Sequence, residues 1–454
     1  MTLRSINPAT DQLIGEYPEH TPQQVAEALA AGQRAFLAWR HTPLLDRATG
    51  LHRVARALRQ NRGQLAALMT AEMGKPLSQS GAEVDKCIVC CEYFADYGPS
   101  FLGRENIRTE ATESCVVFEP IGVILGVMPW NFPLWQVFRA AVPALMAGNA
   151  MVLKHASNVS GCALAIASLF KTAGMPEGLF QTLLVSSQRV AELIASPVIR
   201  GVTLTGSTAA GVSVASQAAS LIKKTVLELG GSDPYLVLED ADLPTAARLC
   251  AASRLINSGQ SCIAAKRFIV VESVRQEFES LLVREMQQQR MGDPMAPSTT
   301  VGPLARRDLR DELHSQVERS MALGARLLCG GSIPTGPGAY YPPTVLSGVH
   351  KGMPAFDEET FGPVAAVTGV GSEEEAILAA NDSSYGLGAA VFTRNVERAS
   401  RVAAALEAGV VFINDFVRSD PRLPFGGIKA SGYGRELSAF GIREFVNIKT
   451  VWRA

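Results

Sequence analysis

The sequence predicts an α/β protein built on parallel sheets, and three observations predict it. From Ile121 to Leu229 short apolar runs alternate with longer stretches of helical periodicity, the pattern of strand, crossover helix and parallel strand. After the Gly230-Gly231 break the alternation resumes, and near the end a last apolar run, Glu444–Trp452, alternates residue by residue. At 454 residues the chain exceeds one ordinary core, and about 100–200 residues per domain gives two or three.

The first hundred residues read mostly helical. Pro22–Arg40 and Asp46–Met73 carry apolar residues at helical spacing, with Gly74-Lys75-Pro76 as a stop. Val84–Tyr93 reads as a further helix on which Cys87, Cys90 and Cys91 share one apolar face. Ser114–Glu119 is a β-rich run closed by Pro120 and Gly122. Strands follow at Val123–Val127, Ala150–Leu153, Thr182–Val185, Gly201–Leu204 and Thr225–Leu229, separated by helices such as Leu134–Met146, Gly161–Ala173 and Gln188–Ala195. Beyond Gly231 come strand Tyr235–Leu238, helix Leu243–Ser258, strand Phe268–Val271 and helix Val274–Gln288. A proline-rich segment after Gly330-Gly331 leads into another α/β stretch from Glu373 to Ile413. Parallel sheets of this kind bind ligands beyond the carboxyl ends of their strands, where the polar motifs fall. The tail strand needs an edge to pair with, in this chain or in another subunit.

Composition narrows the function classes. Hydrophobic residues make up 47% and charged residues 19%, with 42 Lys and Arg against 43 Asp and Glu. No block of like charge stands out, which argues against nucleic acid or an anionic membrane as partner. No apolar stretch approaches the roughly 18 uninterrupted residues of a membrane span. The first residues lack the apolar core of a secretory signal, so a cytoplasmic protein is expected. Its eight cysteines are expected to stay reduced. Cys87-x-x-Cys90 has no second pair at ligand spacing; no metal site is expected, and these thiols read as core.

Cys262 closes Asn257-Ser258-Gly259-Gln260-Ser261-Cys262, a loop expected straight after a helix. A loop cysteine flanked by Gly and Ser is a poor core filler, and a nucleophilic thiol needs a lowered pKa or a nearby base. Of His20, His41, His52, His155, His314 and His350, only His155 sits in a turn suited to a Cys–His pair, so a carboxylate is the better base. Glu228 ends an apolar run before Gly230-Gly231, where desolvation raises a carboxyl pKa toward a useful range. A salt-bridged strand-end glutamate is the plainer alternative. Asn131 lies between Pro129 and Pro133 in a stiff loop, where its amide could donate to an oxyanion or serve as an ordinary turn Asn. Thr205-Gly206-Ser207 follows a strand and opens a helix whose free N–H groups favour anions, though Gly206 and Gly211 do not form the usual dinucleotide fingerprint.

Taken together these residues resemble the aldehyde dehydrogenase superfamily. The markers are Pro129-Trp130-Asn131-Phe132-Pro133, Thr205-Gly206-Ser207, Glu228-Leu229-Gly230-Gly231, Gly259-Gln260-Ser261-Cys262, Glu359-Thr360-Phe361-Gly362-Pro363 and Pro424-Phe425-Gly426-Gly427. They span nearly the whole chain, from Asn7-Pro8-Ala9-Thr10 to Phe445-Val446-Asn447. The resemblance implies an aldehyde dehydrogenase-like fold of two Rossmann-type α/β domains plus a small β oligomerisation element. Residues 1–107 and 127–231 would form the dinucleotide-binding domain, 232–424 the catalytic domain, and 108–126 with 425–454 the oligomerisation element. A homodimer or homotetramer is implied with it.

The same resemblance implies a chemistry. Cys262 attacks the aldehyde carbon, Asn131 and the Cys262 backbone N–H hold the oxyanion, and Glu228 activates the water that hydrolyses the thioester. Thr205, Gly206 and Ser207 fall in the cofactor site, Lys154 meets the adenosine ribose, and Glu359 holds the nicotinamide ribose. Phe361 and Trp130 pack near the nicotinamide. Many NAD-using relatives carry Glu where this chain has Ser157, and a hydroxyl there can donate to a 2′-phosphate. NADP is therefore expected to be preferred, with NAD also usable; capping of the next helix is a compatible alternative role for Ser157. Within the superfamily the nearest resemblance is to bacterial succinate-semialdehyde dehydrogenases, through Leu153-Lys154-His155-Ala156-Ser157, Ser419-Asp420-Pro421-Arg422 and the tail. On that basis Ser419 assists a substrate carboxylate. Arg139 lies about two helical turns after Asn131 on an otherwise apolar helix, where a substrate carboxylate would satisfy it bidentately. A buried structural ion pair is the alternative. The expected activity is oxidation of succinic semialdehyde to succinate. Broad medium-chain aldehyde oxidation and a catalytically silent protein on the same fold stand as alternatives, the intact Cys262, Glu228 and Asn131 set speaking against silence.

Overall fold

An N-terminal hairpin, Thr2–Ile6 against Leu13–Pro18, leads into four helices in the computed structural model, which describes residues 2–454. Helix α1 (Pro22–Trp39) starts with Pro in its first turn and a capping box. The Thr21 hydroxyl accepts from the Gln24 N–H, and the Thr21 N–H donates to Gln24 Oε1 at 2.8 Å. The single helix expected over Asp46–Met73 is two, α2 (Leu44–Gln60) and α3 (Arg62–Met73), broken at Asn61. The Asn61 amide donates to the Ala57 carbonyl at 2.8 Å, so the side chain competes with the helical ladder. Helix α4 (Leu77–Phe101) buries Cys87, Cys90 and Cys91 against α2 and α5 (Trp135–Met146).

Five parallel strands follow: β1 (Val123–Met128), β2 (Ala150–His155), β3 (Phe180–Thr182), β4 (Ile199–Thr205) and β5 (Lys224–Glu228). Their order is β5-β4-β1-β2-β3, with α5, α6 (Ser160–Thr172), α7 (Val190–Ala195) and α8 (Thr208–Ser220) as crossovers. This is the Rossmann order 3-2-1-4-5, one strand short of the six-stranded form. The third strand falls earlier than the expected Thr182–Val185. Met151 to Leu153 of β2 pair with Phe180 to Thr182, and residues 183–185 continue into the core as irregular chain.

A second sheet contains β6 (Pro234–Val237), β7 (Arg267–Val271), β8 (Arg326–Cys329), β9 (Thr344–Ser347), β10 (Val364–Val370), β11 (Gly388–Phe392) and β12 (Val410–Ile413). The order is β8-β9-β10-β7-β6-β11-β12, and β8 alone is antiparallel. Both faces are covered. Tyr235 and Val237 of β6 enter one apolar cluster while Leu236 and Leu238 enter the other.

The tail strand, Val446–Arg453, finds its edge in its own chain, pairing antiparallel with Glu113–Pro120, which also pairs Glu105–Asn106. Strand β1 begins at Val123, inside the 108–126 stretch expected for the oligomerisation element. Strand β1 is hydrogen-bonded on both sides, by β2 and β4, so it belongs to the five-stranded unit. Gly432–Tyr433 of the expected tail element joins the same sheet, antiparallel to β5, with Gly432 opposite Glu228.

Candidate active site

The order of the first sheet reverses between β1 and β4, the point where such sheets bind ligands. Strand β1 feeds the loop holding Trp130 and Asn131, and β4 feeds Thr205-Gly206-Ser207. A cavity of about 420 Å³ opens there, lined by these five residues and by Glu359, Phe361 and Cys262. Ser207 caps α8, accepting from the Ala210 N–H at 3.3 Å. The Trp130 and Phe361 rings meet edge to face with centroids 5.7 Å apart and stiffen the wall. Glu359 is tethered: its Oε1 accepts from the Gly231 N–H at 3.0 Å and lies 3.6 Å from Lys266 Nζ.

Lys154 and Ser157 sit at the carboxyl end of β2, outside the lining of this cavity. Burial pushes the Lys154 ammonium pKa down. Ser157 is exposed, and the capping role considered for it is not observed. Neither the 3₁₀ turn Ser157–Val159 nor α6 has a side-chain cap.

A second cavity, of about 520 Å³, lies on the other side of Cys262, which among the described residues is the one lining both. The helix expected over Leu243–Ser258 stops at Arg254, because the chain must turn sharply to deliver the thiol. Asn257, Ser258 and Gly259 all take left-handed backbone, at φ 54°, 54° and 81°. Such strain persists only where neighbours hold it. The Asn257 N–H donates to Gln79 Oε1 at 2.7 Å, its amide donates to the Asn131 carbonyl at 2.6 Å, and the Ser258 hydroxyl donates to the Gly302 carbonyl at 3.1 Å. A side chain at Gly259 would strike the Gly362 backbone, so this position has no room for a Cβ. The Asn131 amide donates to the Gln260 carbonyl at 3.1 Å, which joins the two loops directly. Cys262 is partly exposed, and burial pushes its thiol pKa up to about 12, opposed by Arg139 and Lys266.

Glu228 lies behind the cavity wall and lines neither cavity. Both carboxyl oxygens are buried without a hydrogen-bond partner among the described residues, and burial raises the pKa well above the ordinary range. For Arg139 the ion-pair alternative is the arrangement observed. Its guanidinium is not left unpaired on an apolar helix: it pairs with the buried Glu436, donates to the Thr205 hydroxyl at 3.3 Å and lies 4.7 Å from the Phe425 ring centroid. It still lines the second cavity, together with Ser419.

The family model for aldehyde dehydrogenases matches residues 1–451. The chain belongs to the aldehyde dehydrogenase family. It is 52% identical over 454 residues, all of both chains, to a Synechocystis protein named a probable succinate-semialdehyde dehydrogenase of the NADP(+) type. An Escherichia coli succinate semialdehyde dehydrogenase of the NAD(P)+ type is 48% identical, covering 99% of this chain and 97% of that one. A crystal structure of succinic semialdehyde dehydrogenase from Streptococcus pyogenes, in complex with NADP+, superposes with a TM-score of 0.97 at 40% identity, covering 99% of each chain.

Three residues of this aldehyde dehydrogenase escaped assignment from sequence. His155 is buried with its pKa pushed down to about 4 by desolvation. Nε2 lies 2.8 Å from the Pro133 carbonyl and Nδ1 accepts from the Ala156 N–H at 2.9 Å, so the neutral ring staples the loop carrying Asn131. In the sequence its turn marked it as the one candidate for a Cys–His pair, not as a support for the Asn131 loop. Lys266 donates to the Cys262 carbonyl at 2.8 Å and faces Glu359; a cation opening an apolar strand was the available clue. Glu436 had none, since nothing near it in sequence marks a partner for Arg139.

Proposed function

We propose that this aldehyde dehydrogenase oxidises succinic semialdehyde to succinate through a covalent Cys262 adduct, with NADP preferred and NAD also usable. The observation that carries the reading is that, among the described residues, Cys262 alone lines both cavities. One sulfur thereby faces a crevice at a Rossmann switch point on one side and a pocket containing basic groups on the other.

The residues present fit a dinucleotide. The N-terminus of α8 with Thr205, Gly206 and Ser207 suits the pyrophosphate. Glu359 suits the nicotinamide ribose, and the Trp130–Phe361 pair suits the ring. Ser157 has an exposed, uncapped hydroxyl and no carboxylate in its place to repel a 2′-phosphate, and Lys154 adds positive charge nearby. When bound, the nicotinamide supplies the hydride acceptor.

The chain's own groups supply the rest. The resting thiol must ionise, and Arg139 and Lys266 are the charges that favour its thiolate. Attack forms a C–S bond to the aldehyde carbon and throws negative charge onto the carbonyl oxygen. Asn131 offers its second amide proton there, alongside the Cys262 backbone N–H. Hydrolysis of the Cys262 thioester needs a base, and two carboxyls, Glu359 and Glu228, lie within electrostatic reach of the thiol; Glu359 is tethered to Gly231 and Lys266, which leaves Glu228. It must turn out of its recess to reach water, and with neither oxygen held the turn breaks no hydrogen bond. Ser419 and Arg139 suit the far carboxylate, Arg139 by hydrogen bonding, since Glu436 already balances its charge.

The printed names of the relatives support this substrate and cofactor. We also infer a cytoplasmic homodimer or homotetramer; exposed Ile448 and Trp452, four residues apart on one face of the tail strand, suit contact with a second copy. Among the described residues no helix is long and apolar enough to cross a membrane. The test is an aldehyde panel with NADP and NAD, followed at the reduced-nicotinamide absorbance. The highest kcat/KM should come from succinic semialdehyde with NADP. Equal rates with uncharged aldehydes would leave a broad-specificity enzyme, and no reduction with any aldehyde would end the catalytic reading.

A further inference from the structure

Four basic side chains line the cavity on the substrate side of Cys262, and they differ in what already holds them. Arg139 is paired with Glu436, Arg418 is paired with Asp415 at 2.7 Å, and Arg248 is exposed at the surface. Lys86, on α4, has no ion-pair partner among the described residues. Its Nζ donates to the Ser419 hydroxyl at 2.6 Å and stands 4.3 Å from the Trp135 ring centroid. The nearby carboxylate, Glu83, is committed elsewhere: it pairs with buried Lys75 and accepts the Leu134 and Trp135 N–H groups at 2.8 and 2.9 Å. An ammonium has three donors, and one hydroxyl uses one of them. Charge taken out of water without a counter-charge demands one.

We propose that Lys86 is the charged anchor for the far carboxylate of the substrate, with Ser419 as its hydrogen-bonding partner. Lys86 is then the residue that makes the enzyme select short aldehydes ending in a carboxylate over uncharged ones of the same length. The proposal rests on the succinic-semialdehyde reading above. The ionisation state of the amine agrees with it. Desolvation, then Arg139 on α5, push the Lys86 pKa down to about 8, opposed by Cys87, Glu83 and Cys90 on its own helix. Asp420, from the loop that carries Ser419, also feels Lys86 but is tied to Arg422 at 2.6 Å. Below about 8 the amine is charged and competent; above it the anchor is lost.

The test uses the full-length enzyme at saturating NADP, with succinic semialdehyde and butanal as paired substrates. Wild type, Lys86→Met and Lys86→Arg are compared by the ratio of their kcat/KM values. Lys86→Met should lower that ratio by about 30-fold or more, through KM for succinic semialdehyde, and Lys86→Arg should restore most of it. A wild type without preference would sink the substrate reading and the anchor together. A preferring wild type whose Lys86→Met variant loses equally on both aldehydes would overturn the anchor alone. Should Lys86→Met fail to fold by circular dichroism, the wild type decides. Its KM for succinic semialdehyde, relative to butanal, should climb between about pH 7 and 9.5, and a flat profile would overturn the proposal.

Discussion

Replacing Glu228 with Gln separates the two halves of the proposed reaction. The exchange keeps the shape of the side chain and removes its capacity to take a proton. Thiol attack and oxidation use Cys262 and Asn131, so an enzyme mixed with aldehyde and NADP should still release about one equivalent of reduced nicotinamide per site. Hydrolysis then lacks its base. A positioned general base is worth about 10²- to 10⁴-fold, or about 3–5 kcal/mol of barrier, and steady turnover should fall by that factor. Stopped-flow absorbance reads both phases. A steady rate within about threefold of wild type would remove Glu228 from the base role, and loss of the first phase would show that it acts earlier.

The pH signature follows from the same burial. Burial raises the Glu228 pKa well above 4.5, with Arg139 opposing and Glu436 reinforcing. The active, ionised form therefore accumulates only above the ordinary carboxylate range, so hydrolysis-limited turnover should rise with pH in the wild type and lose that limb in Glu228→Gln. Stability should respond in the opposite sense. The fold binds this proton more tightly than the unfolded chain does, so the stabilising contribution disappears as pH climbs from about 4.5 through the raised value. Glu228→Gln has no charge to bury there, and its melting temperature should gain on the wild type as pH rises.

Three further substitutions probe the site. Asn131→Ala should cut kcat about 10²- to 10³-fold by removing one oxyanion donor, and an undiminished burst rate would exclude that role. Ser157→Glu should move the kcat/KM ratio about 10²-fold or more toward NAD, because a hydrogen bond to a charged group is lost and a like charge is added. An unmoved ratio, or a wild type that already favours NAD, contradicts the cofactor assignment. Arg139→Ala leaves Glu436 and Glu228 buried without the cation between them, and denaturant unfolding should register a loss of about 3–5 kcal/mol; an unchanged midpoint would deny the pair any structural role.

The parallel-sheet class, the crossover helices and the loops that carry Asn131, Thr205 and Cys262 were legible in the order of residues. These depend on periodicity and turn chemistry within a few residues, which a linear reading contains. Its misses were also local contests: Asn61 breaking a helix with its own amide, and β3 sliding to where β2 offered pairing partners. Which charges are already spent became visible only in the folded chain. For Arg139 a substrate clamp and a buried ion pair both stand open until Glu436, from the far end of the chain, lies against it, and nothing in the order of residues shows that Ser419 and Trp135 close around Lys86. A charge's availability is set by whatever lies within a few ångströms and by how much water remains there. Both are products of folding, which brings together groups that the order of residues keeps hundreds of positions apart.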